Sequence, residues 1–228
     1  MTNIVKTTTL PNLLDLIAPH SCRGCGKVGH ALCNRCKNNI IKNRQNLCPI
    51  CRKPNPTGKC QTCQNSQQFY IVDYRNTLIG ELIHDYKYNS VRALARPLAE
   101  ILHEILPELP PNTTIIPLPT INRHIRERGF DHTALIAKHL AKIRHIHHSP
   151  ILVRANNSVQ VGSSKSVRLS QAKSAYEINP KQTIDPASTY LLLDDIWTTG
   201  ASMQAAVKKL QQAGASKIIV AILGLSQI

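Results

Sequence analysis

Eight cysteines, all between residues 22 and 63, constrain this chain more than any other feature of its sequence. They form four Cys-x-x-Cys pairs, which are Cys22/Cys25, Cys33/Cys36, Cys48/Cys51 and Cys60/Cys63. Two thiolates at this spacing on a tight turn can both bind one tetrahedral ion, at about 2.3 Å each. Eight such ligands predict two structural Zn²⁺ sites, which fold the segment and do no chemistry themselves.

The sequence leaves two questions about these cysteines open. Redox-active dithiols are the alternative use of such a pair, although they usually occur singly beside a βαβ pattern. Sequential pairing of the four motifs, the first with the second and the third with the fourth, closes the shortest loops. Interleaved pairing also gives two four-cysteine sites and is not excluded.

No segment of the chain has the pattern of a signal peptide or a membrane span. The brief apolar patch Leu13–Ile17 is interrupted by Asp15 and lacks a cleavage site. No apolar run approaches the ~18 residues that are needed to cross a bilayer. We therefore expect a cytoplasmic protein without a membrane span, in which a reducing environment favours metal binding over disulfides.

Basic residues dominate the composition and are concentrated in the cysteine-rich part. The chain has 28 Lys+Arg against 13 Asp+Glu, a formal net charge of +15, and residues 1–70 contain Asp15 as their only acid. Two zinc ions on eight thiolates would lower the net charge to about +11. Lys and Arg displace the counterions that are condensed on nucleic acid, so a polyanion is a candidate partner.

Apolar patterning becomes regular from Phe69 onward, so we divide the chain into a zinc-ribbon-like module, residues 1–68, and a second domain, residues 69–228. In the second domain helical apolar patterns alternate with short apolar runs typical of buried strands. This predicts an α/β fold with a doubly wound parallel sheet, whose ligand site lies at the carboxyl ends of the strands. Pro97 either kinks the second helix or marks its true start. The predicted helices cover Thr77–Asn89, about 94–105, about 132–146 and Ala201–Gln212, and the predicted strands are Thr113–Ile116, Ile151–Val153, Tyr190–Asp194 and Lys217–Leu223.

The most specific chemical motif follows the third of these strands. The apolar run ends in two carboxylates, Asp194 and Asp195, and a Thr-Thr-Gly-Ala-Ser loop then opens a helix. Free N–H groups, hydroxyls and the helix N-terminus can bind a monophosphate, and Gly200 lets the backbone approach it closely. The carboxylates can accept hydrogen bonds from neighbouring sugar hydroxyls. Together these features predict a site for a 5-phosphoribosyl group; the alternative is a strand–turn–helix in which Asp and Thr serve only as caps. The candidate residues are Asp194, Asp195, Thr198, Thr199, Gly200, Ala201 and Ser202.

This motif resembles the signature with which type I phosphoribosyltransferases bind 5-phosphoribosyl-1-pyrophosphate (PRPP). The resemblance implies that Asp194 and Asp195 hold the ribose hydroxyls and that the loop from Thr198 to Ser202 holds the 5′-phosphate. The whole chain is similar to the ComF (ComFC) family of competence proteins, which implies a type I phosphoribosyltransferase fold behind a small zinc module. The motifs that carry this similarity, in order, are the cysteine pairs, Lys87-Tyr88, Pro117-Leu118-Pro119, Arg126-Glu127-Arg128-Gly129-Phe130, Gln160 with Arg168, and the PRPP loop.

Four positions depart from the usual pattern of that family. Asp131 and His132 stand where Asn and Gln are usual. Ser163 replaces an expected Leu, and Gln171 replaces an expected Asn. These departures concern the details of the loops, and the order of the motifs is unaffected.

A second group of residues is predicted to bind the pyrophosphate of PRPP. The stiff turn Pro117-Leu118-Pro119 could present backbone N–H groups, and arginines supply two-pronged contacts to phosphate oxygens. The alternative is a solvated basic loop. Mg²⁺ is implied together with PRPP, because a pyrophosphate leaving group needs its charge neutralised. The remaining candidates are Lys87, Arg123, Arg126, Arg128, Gln160 and Arg168.

The resemblance implies a competence factor that handles incoming single-stranded DNA in the cytoplasm, beside a DNA translocase. The alternative is a phosphoribosyltransferase of nucleotide metabolism, which transfers the phosphoribosyl group to an amine or base and has a purely structural zinc module. Thr198 stands where purine-salvage relatives have an acid that manages the proton of the base, which disfavours hypoxanthine or guanine as acceptor. The acceptor, and whether transfer occurs, stay open.

Overall fold

The computed structural model describes residues 20–44, 46–63, 67–72, 77–155 and 175–226. Its strands are β1 (Gln68–Ile71), β2 (Thr113–Pro117), β3 (His147–His148), β4 (Leu152–Arg154), β5 (Tyr176–Ile178), β6 (Thr189–Trp197) and β7 (Lys217–Leu225). Five of them form one parallel sheet in the order β1-β7-β6-β2-β3. The parallel α/β fold class predicted from the sequence is therefore confirmed.

Helices cover both faces of this sheet. They are α1 (Asn34–Lys42), α2 (Thr77–Tyr88), α3 (Ala95–Ile105), α4 (Asn122–Arg128), α5 (His132–Arg144) and α6 (Ala201–Gln212). A short 3₁₀ turn, Arg92–Leu94, leads into α3. Pro97 is the third residue of α3, in the first turn where its missing N–H leaves no hydrogen bond unmade, so it marks the start of the helix.

The central strand β6 buries side chains on both faces of the sheet. Leu191 and Leu193 belong to one apolar core with α2, α3 and α5. Tyr190 and Leu192 belong to a second core with α6. A strand that is covered on both faces has no polar face, which explains its nearly continuous apolar run.

Four strands differ from the sequence-based prediction. The strand expected at Ile151–Val153 is Leu152–Arg154 and pairs antiparallel with β5 in a separate two-stranded sheet, outside the parallel sheet. The strands β1, β3 and β5 were not predicted, because two to four residues are too few to produce a recognisable period. Among the described residues, no helix is long and apolar enough to cross a membrane.

The cysteine-rich segment packs directly on the parallel-sheet domain. Leu32 and Ile40 are buried in the same core as α2 and α3. The Arg23 Nε lies 2.8 Å from a carboxylate oxygen of Asp85 on α2. The Phe69 N–H of β1 donates to the Gly58 carbonyl oxygen at 2.8 Å. The boundary at residue 68 stays a prediction. The contacts described above join residues before it to residues after it.

Candidate functional site

The eight cysteines form two separate clusters. Cys22, Cys25, Cys33 and Cys36 form the first, and Cys48, Cys51, Cys60 and Cys63 form the second, with all ligand atoms of a cluster within 4.8 Å of one another. This is the sequential pairing. All eight thiols are free of disulfide bonds.

The spacing of the sulfur atoms fits a tetrahedral ion. The Cys25 and Cys33 Sγ atoms are 3.6 Å apart, and those of Cys51 and Cys60 are 3.4 Å apart. Four sulfurs at about 2.3 Å from one ion would be separated by about 3.8 Å. The donor sets therefore suit Zn²⁺, and a slight expansion of each cluster would accommodate it.

Backbone N–H groups favour the thiolate form of Cys22 and Cys60, one cysteine in each cluster. Burial disfavours the charged form of Cys22, but hydrogen bonds from the N–H groups of Cys33, Gly24 and Cys25 lower the pKa of its thiol to about 6. The N–H of Cys63 is the main cause that lowers the pKa of Cys60, also to about 6. A thiolate is the form that binds a metal ion.

A third polar cluster lies at the carboxyl end of β6. The Asp195 side chain is 2% exposed. Its Oδ2 atom lies 2.9 Å from Lys87 Nζ and 2.9 Å from His132 Nε2. The last turn of α2 supplies Lys87 and the first residue of α5 supplies His132, so two helices converge on this strand end.

The two adjacent carboxylates have opposite pKa shifts. Burial would raise the pKa of Asp195, but the close contact with His132 and the charge of Lys87 hold that pKa well below its usual range. Burial and the neighbouring Asp195 charge raise the pKa of Asp194 well above its usual range. The site therefore holds one firmly ionised carboxylate beside one that resists ionisation.

The loop after β6 has the geometry of an anion site. Gly200 adopts φ +80° and precedes the first turn of α6, a helix of 12 residues. A Cβ atom at this position would collide with the Trp197 ring, so only glycine fits here. Thr198, Thr199, Ala201 and Ser202 are exposed around it. The first-turn N–H groups of α6 can therefore meet a phosphate from solvent.

The predicted role of Pro117-Leu118-Pro119 needs correction. The Leu118 N–H donates to the Leu193 carbonyl oxygen at 2.8 Å, within the sheet. The two flanking prolines have no N–H to offer. This turn therefore presents no free backbone donor, and its carbonyl groups instead accept hydrogen bonds from Thr133 and Arg154.

The predicted pyrophosphate arginines have different environments. Arg123 is exposed and pairs with Glu127 at 2.7 Å on the surface of α4, and Arg126 is also exposed. Arg128 turns inward, with one guanidinium nitrogen 3.0 Å from His132 Nδ1. Of the predicted set, the structure brings Lys87 and Arg128 to the Asp195 cluster. Gln160 and Arg168 lie outside the described residues.

Two further residues at this site were not predicted as site residues. His132 was visible in the sequence only as a departure from a family pattern. Arg154, at the end of β4, donates to the Pro119 carbonyl oxygen at 3.1 Å and stacks on Tyr176, with 4.9 Å from its guanidinium carbon to the ring centroid. No local motif marks an isolated arginine on a three-residue strand, so only the fold identifies it.

The cluster of His132, Asp194 and Asp195 has three potential metal-binding side chains within 4.8 Å of one another. Lys87 Nζ occupies the same side of Asp195 at 2.9 Å, and a second cation there would be repelled. The described residues therefore suit a ligand with hydroxyl groups better than a bare divalent ion at this point.

The chain is similar over most of its length to curated competence proteins, and it matches no protein-family model. It is 24% identical over 204 residues to competence protein ComFC of Bacillus subtilis (strain 168), which covers 82% of this chain and 81% of that protein. It is 25% identical over 193 residues to competence protein ComFC of Streptococcus pneumoniae, covering 82% and 84%. It is 24% identical over 220 residues to competence protein F of Haemophilus influenzae, covering 82% and 94%. The resemblance inferred from the motifs is confirmed.

Solved structures similar to this fold include phosphoribosyltransferases. Adenine phosphoribosyltransferase from Saccharomyces cerevisiae aligns with a TM-score of 0.34 and 19% identity, covering 66% of this chain and 70% of that one. Glutamine PRPP amidotransferase from Bacillus subtilis aligns with a TM-score of 0.42 and 16% identity. That alignment covers 58% of this chain and 26% of the longer enzyme.

Proposed function

We propose that this protein is a competence factor that handles incoming single-stranded DNA in the cytoplasm, beside a DNA translocase, and carries a PRPP-binding domain. One observation carries the proposal: three named competence proteins match 82% of the chain. A match of this length covers most of the chain. A phosphoribosyltransferase of nucleotide metabolism is the alternative, and it offers no reason for this similarity.

The proposed PRPP site uses the residues at the carboxyl end of β6. Asp194 and Asp195 would accept hydrogen bonds from the two ribose hydroxyls, and the N-terminus of α6 would bind the 5′-phosphate. Arg128 would meet the pyrophosphate. When bound, Mg²⁺ would neutralise charge on the pyrophosphate oxygens. On this proposal Lys87 is the counter-charge of Asp195 and so keeps it ionised for the ribose hydroxyls.

The proposed DNA contact uses the basic surface of the cysteine-rich segment. Residues 20–70 contain no Asp or Glu. Lys27, Arg35, Lys42, Lys53 and Lys59 are exposed on it. Zinc bound in both clusters would fold this surface and leave those side chains free for phosphate groups.

A salt titration of single-stranded DNA binding tests this contact. We expect the logarithm of the binding constant to fall linearly with the logarithm of the salt concentration, with a slope of about −0.7 per phosphate neutralised. The variant Arg35→Gln/Lys42→Gln should reduce the slope, and Lys208→Gln/Lys217→Gln, in the other domain, should leave it unchanged. Weak binding at low salt with almost no slope would contradict a role on DNA.

Transformation of the host tests the biological role. A strain that lacks the protein should lose transformation by linear chromosomal DNA while it still binds DNA at the cell surface, because the proposed step follows entry. Re-expression of the wild-type chain should restore transformation. Normal transformation without the protein, together with pyrophosphate release from PRPP and a free base or amine in vitro, would favour the nucleotide-metabolism alternative.

A further inference from the structure

We propose that His132 is a positioning residue: its neutral ring joins Asp195 to Arg128 and holds the Arg128 guanidinium where the pyrophosphate of PRPP would bind. The inference rests on the proposed PRPP site and adds to it the residue that orients the anion contact. It follows from two close contacts of one imidazole ring, a hydrogen bond from Arg128 to Nδ1 and the approach of Nε2 to Asp195 Oδ2.

The backbone between α4 and α5 brings the two residues together. Arg128 is the last residue of α4, and Gly129 follows with φ +74°, a left-handed conformation that turns the chain sharply. Asp131 then caps α5 by accepting a hydrogen bond from the Ala134 N–H at 3.1 Å. Arg128 and His132 therefore meet across a tight turn, with a distance of 3.0 Å from the guanidinium nitrogen to Nδ1.

The contact with Arg128 determines where the proton of His132 lies. A guanidinium group has N–H donors and no acceptor, so Nδ1 must accept this hydrogen bond and carry no proton. The proton of a neutral imidazole is then on Nε2, which faces Asp195 Oδ2 at 2.9 Å. In a doubly protonated ring, the Nδ1–H group would point at an N–H group of the Arg128 guanidinium, and neither could accept a hydrogen bond. The observed arrangement thus requires the neutral Nε2–H form.

The His132 ring cannot easily leave this position. It is 6% exposed. The Tyr86 hydroxyl donates to the His132 carbonyl oxygen at 2.8 Å, and the Tyr86 ring packs edge-on against the imidazole at 6.5 Å between centroids. The Thr120 hydroxyl lies 3.4 Å from Nδ1, on the same side as Arg128. Packing on the backbone and on the ring therefore fixes the direction of both nitrogens.

Arg128 keeps its charge available for a ligand. Arg123 and Arg96 pair with Glu127 and Glu100, whereas no carboxylate in the described part of the chain pairs with Arg128. The Arg128 guanidinium lies over the exposed Tyr88 ring, 5.7 Å from its centroid, and is half-buried. Its nitrogens other than the one on His132 are thus free of protein carboxylates and able to grip an anion from two sides.

The chemistry of PRPP matches this spacing. In PRPP the pyrophosphate is attached to the anomeric carbon, next to the carbon that carries the 2-hydroxyl. If Asp195 holds that hydroxyl, the pyrophosphate lies a short distance from the carboxylate. Arg128 lies at a similarly short distance from Asp195, because only the His132 ring separates the two side chains. The positioning role would act on the pyrophosphate and leave the 5′-phosphate contact at α6 unaffected.

Nitrogen NMR of protein with ¹⁵N-labelled histidine tests the ring directly and needs no ligand. We expect His132 to show an unprotonated Nδ1 and a protonated Nε2, assigned by comparison with His132→Gln. In Arg128→Met the Nδ1 signal should shift, because it loses its donor. A proton on Nδ1 in the wild-type protein would overturn the inference, whether or not PRPP binds.

A double-mutant cycle on PRPP affinity, measured by calorimetry with Mg²⁺, tests the positioning role. Arg128→Met and His132→Leu should each weaken binding roughly 10- to 100-fold, the range for loss of one hydrogen bond to a charged group. If His132 acts through Arg128, the double variant should be no weaker than Arg128→Met alone. His132→Gln should restore affinity to within roughly threefold of wild type, because a glutamine amide also offers an acceptor and a donor.

The ligand ribose 5-phosphate, which lacks pyrophosphate, is the matched control. His132→Leu should weaken its binding by a smaller factor than it weakens PRPP binding, since only the part of the loss that acts through Arg128 depends on the pyrophosphate. Fully additive losses in the PRPP cycle, or wild-type affinity in His132→Leu, would overturn the positioning role while the PRPP site stood. Absence of PRPP binding by the wild-type protein would instead overturn the proposed function, and the NMR result would then decide the inference alone.

Discussion

At the scale of single residues, the two carboxylates at the end of β6 differ in what they contribute to stability. Asp195 faces Lys87 and His132 and is ionised at neutral pH, because these partners hold its pKa low. Asp194 lies beside that negative charge and has a raised pKa, so its ionisation destabilises the folded protein. Two neighbouring residues of the same type should therefore respond to substitution in opposite ways.

We predict that Asp194→Asn raises the free energy of unfolding at pH 7 by about 1 kcal/mol or more. A carboxylate whose folded pKa is raised destabilises the protein above its unfolded pKa, and this cost vanishes below roughly pH 4, where the group is protonated in both states. Asp195→Asn should lower the free energy of unfolding at pH 7 by about 3 kcal/mol, because it leaves the partly buried Lys87 without its charged partner. Urea denaturation at pH 7 and pH 4 measures both, and destabilisation by Asp194→Asn would contradict the assignment.

We predict that Gly200→Ala destabilises the protein and removes the phosphate contact. The new methyl group would collide with the Trp197 ring, and alanine is strained at φ +80°. The expected loss is about 2 to 4 kcal/mol in the free energy of unfolding. Gly129→Ala is the control: its φ is +74°, but no atom lies within 4 Å of the new methyl group, so only the backbone strain of about 1 kcal/mol remains. Equal losses in the two variants would show that the ring contact has no effect.

The residues that the sequence identified are those whose partners are near in the chain. Asp194, Asp195 and Gly200 lie within one strand, loop and helix start, so a contiguous pattern identified them. The contact between His132 and Asp195 joins residues from two elements of the fold, and no local spacing encodes it. The contiguous motif could therefore be predicted from the sequence. The contacts of Lys87 and His132 with Asp195 could not, because they depend on the fold.

At the scale of elements, α1 of the cysteine-rich segment is joined to α3 by one partly buried ion pair. Lys37 Nζ lies 2.7 Å from a carboxylate oxygen of Glu100, whose other oxygen is 3.0 Å from Arg96 Nε. Burial opposes ionisation of Glu100, but the hydrogen bond and charge of Lys37 lower its pKa. The pair therefore contributes to docking only while Glu100 is ionised.

We predict that Lys37→Met lowers the free energy of unfolding by about 1 kcal/mol at pH 7. Because the folded pKa of Glu100 is lowered, its contribution is present above the unfolded pKa and is lost as the pH falls below about 4. The effect of Lys37→Met should shrink accordingly when urea denaturation is repeated at pH 3.5. Lys42→Met on the same helix is the control, since Lys42 is exposed and has no carboxylate partner among the described residues. If the loss of unfolding free energy in Lys37→Met were the same at both pH values, the Lys37–Glu100 ion pair would not be its cause.

Element length decided which parts of the sheet could be predicted. The nine-residue strands β6 and β7 have long apolar runs, and the observed helix α6 coincides with the predicted Ala201–Gln212. The strand β1 is four residues long and follows a polar stretch, and β3 consists of two histidines. These short edge strands are formed by pairing with their neighbours in the sheet, which sequence periodicity does not record.

At the scale of the whole molecule, the first cysteine cluster and the Asp195 cluster both contact the helix α2. Arg23, between the first two cysteines, pairs with Asp85 of α2, and two residues later Lys87 of α2 reaches Asp195. Leu32 and Ile40 share a core with α2 and α3. The cysteine-rich segment therefore supports the helix that carries Lys87, and the two parts of the chain pack against each other.

We predict that removal of zinc destabilises the parallel-sheet domain as well as the cysteine-rich segment. Freshly purified protein should contain two zinc ions per chain by metal analysis. Chelation under reducing conditions should increase hydrogen exchange in α2 and α3, because their core loses the side chains of the folded module. The helix α6, which packs in the other core, is the internal control and should change less. Well under two equivalents of zinc, or unchanged exchange in α2, would contradict this coupling.

We expect the end of β6 to bind PRPP through its carboxylates. Isothermal titration of PRPP with Mg²⁺ into the wild-type protein and into Asp195→Asn is the decisive test, with Glu127→Gln on the exposed surface of α4 as the matched control. We expect saturable binding by the wild type and the control, and at least about tenfold weaker binding by Asp195→Asn, because a buried hydrogen bond to a charged group is lost. Equal affinity of all three proteins, or no binding by the wild type, would contradict the claim.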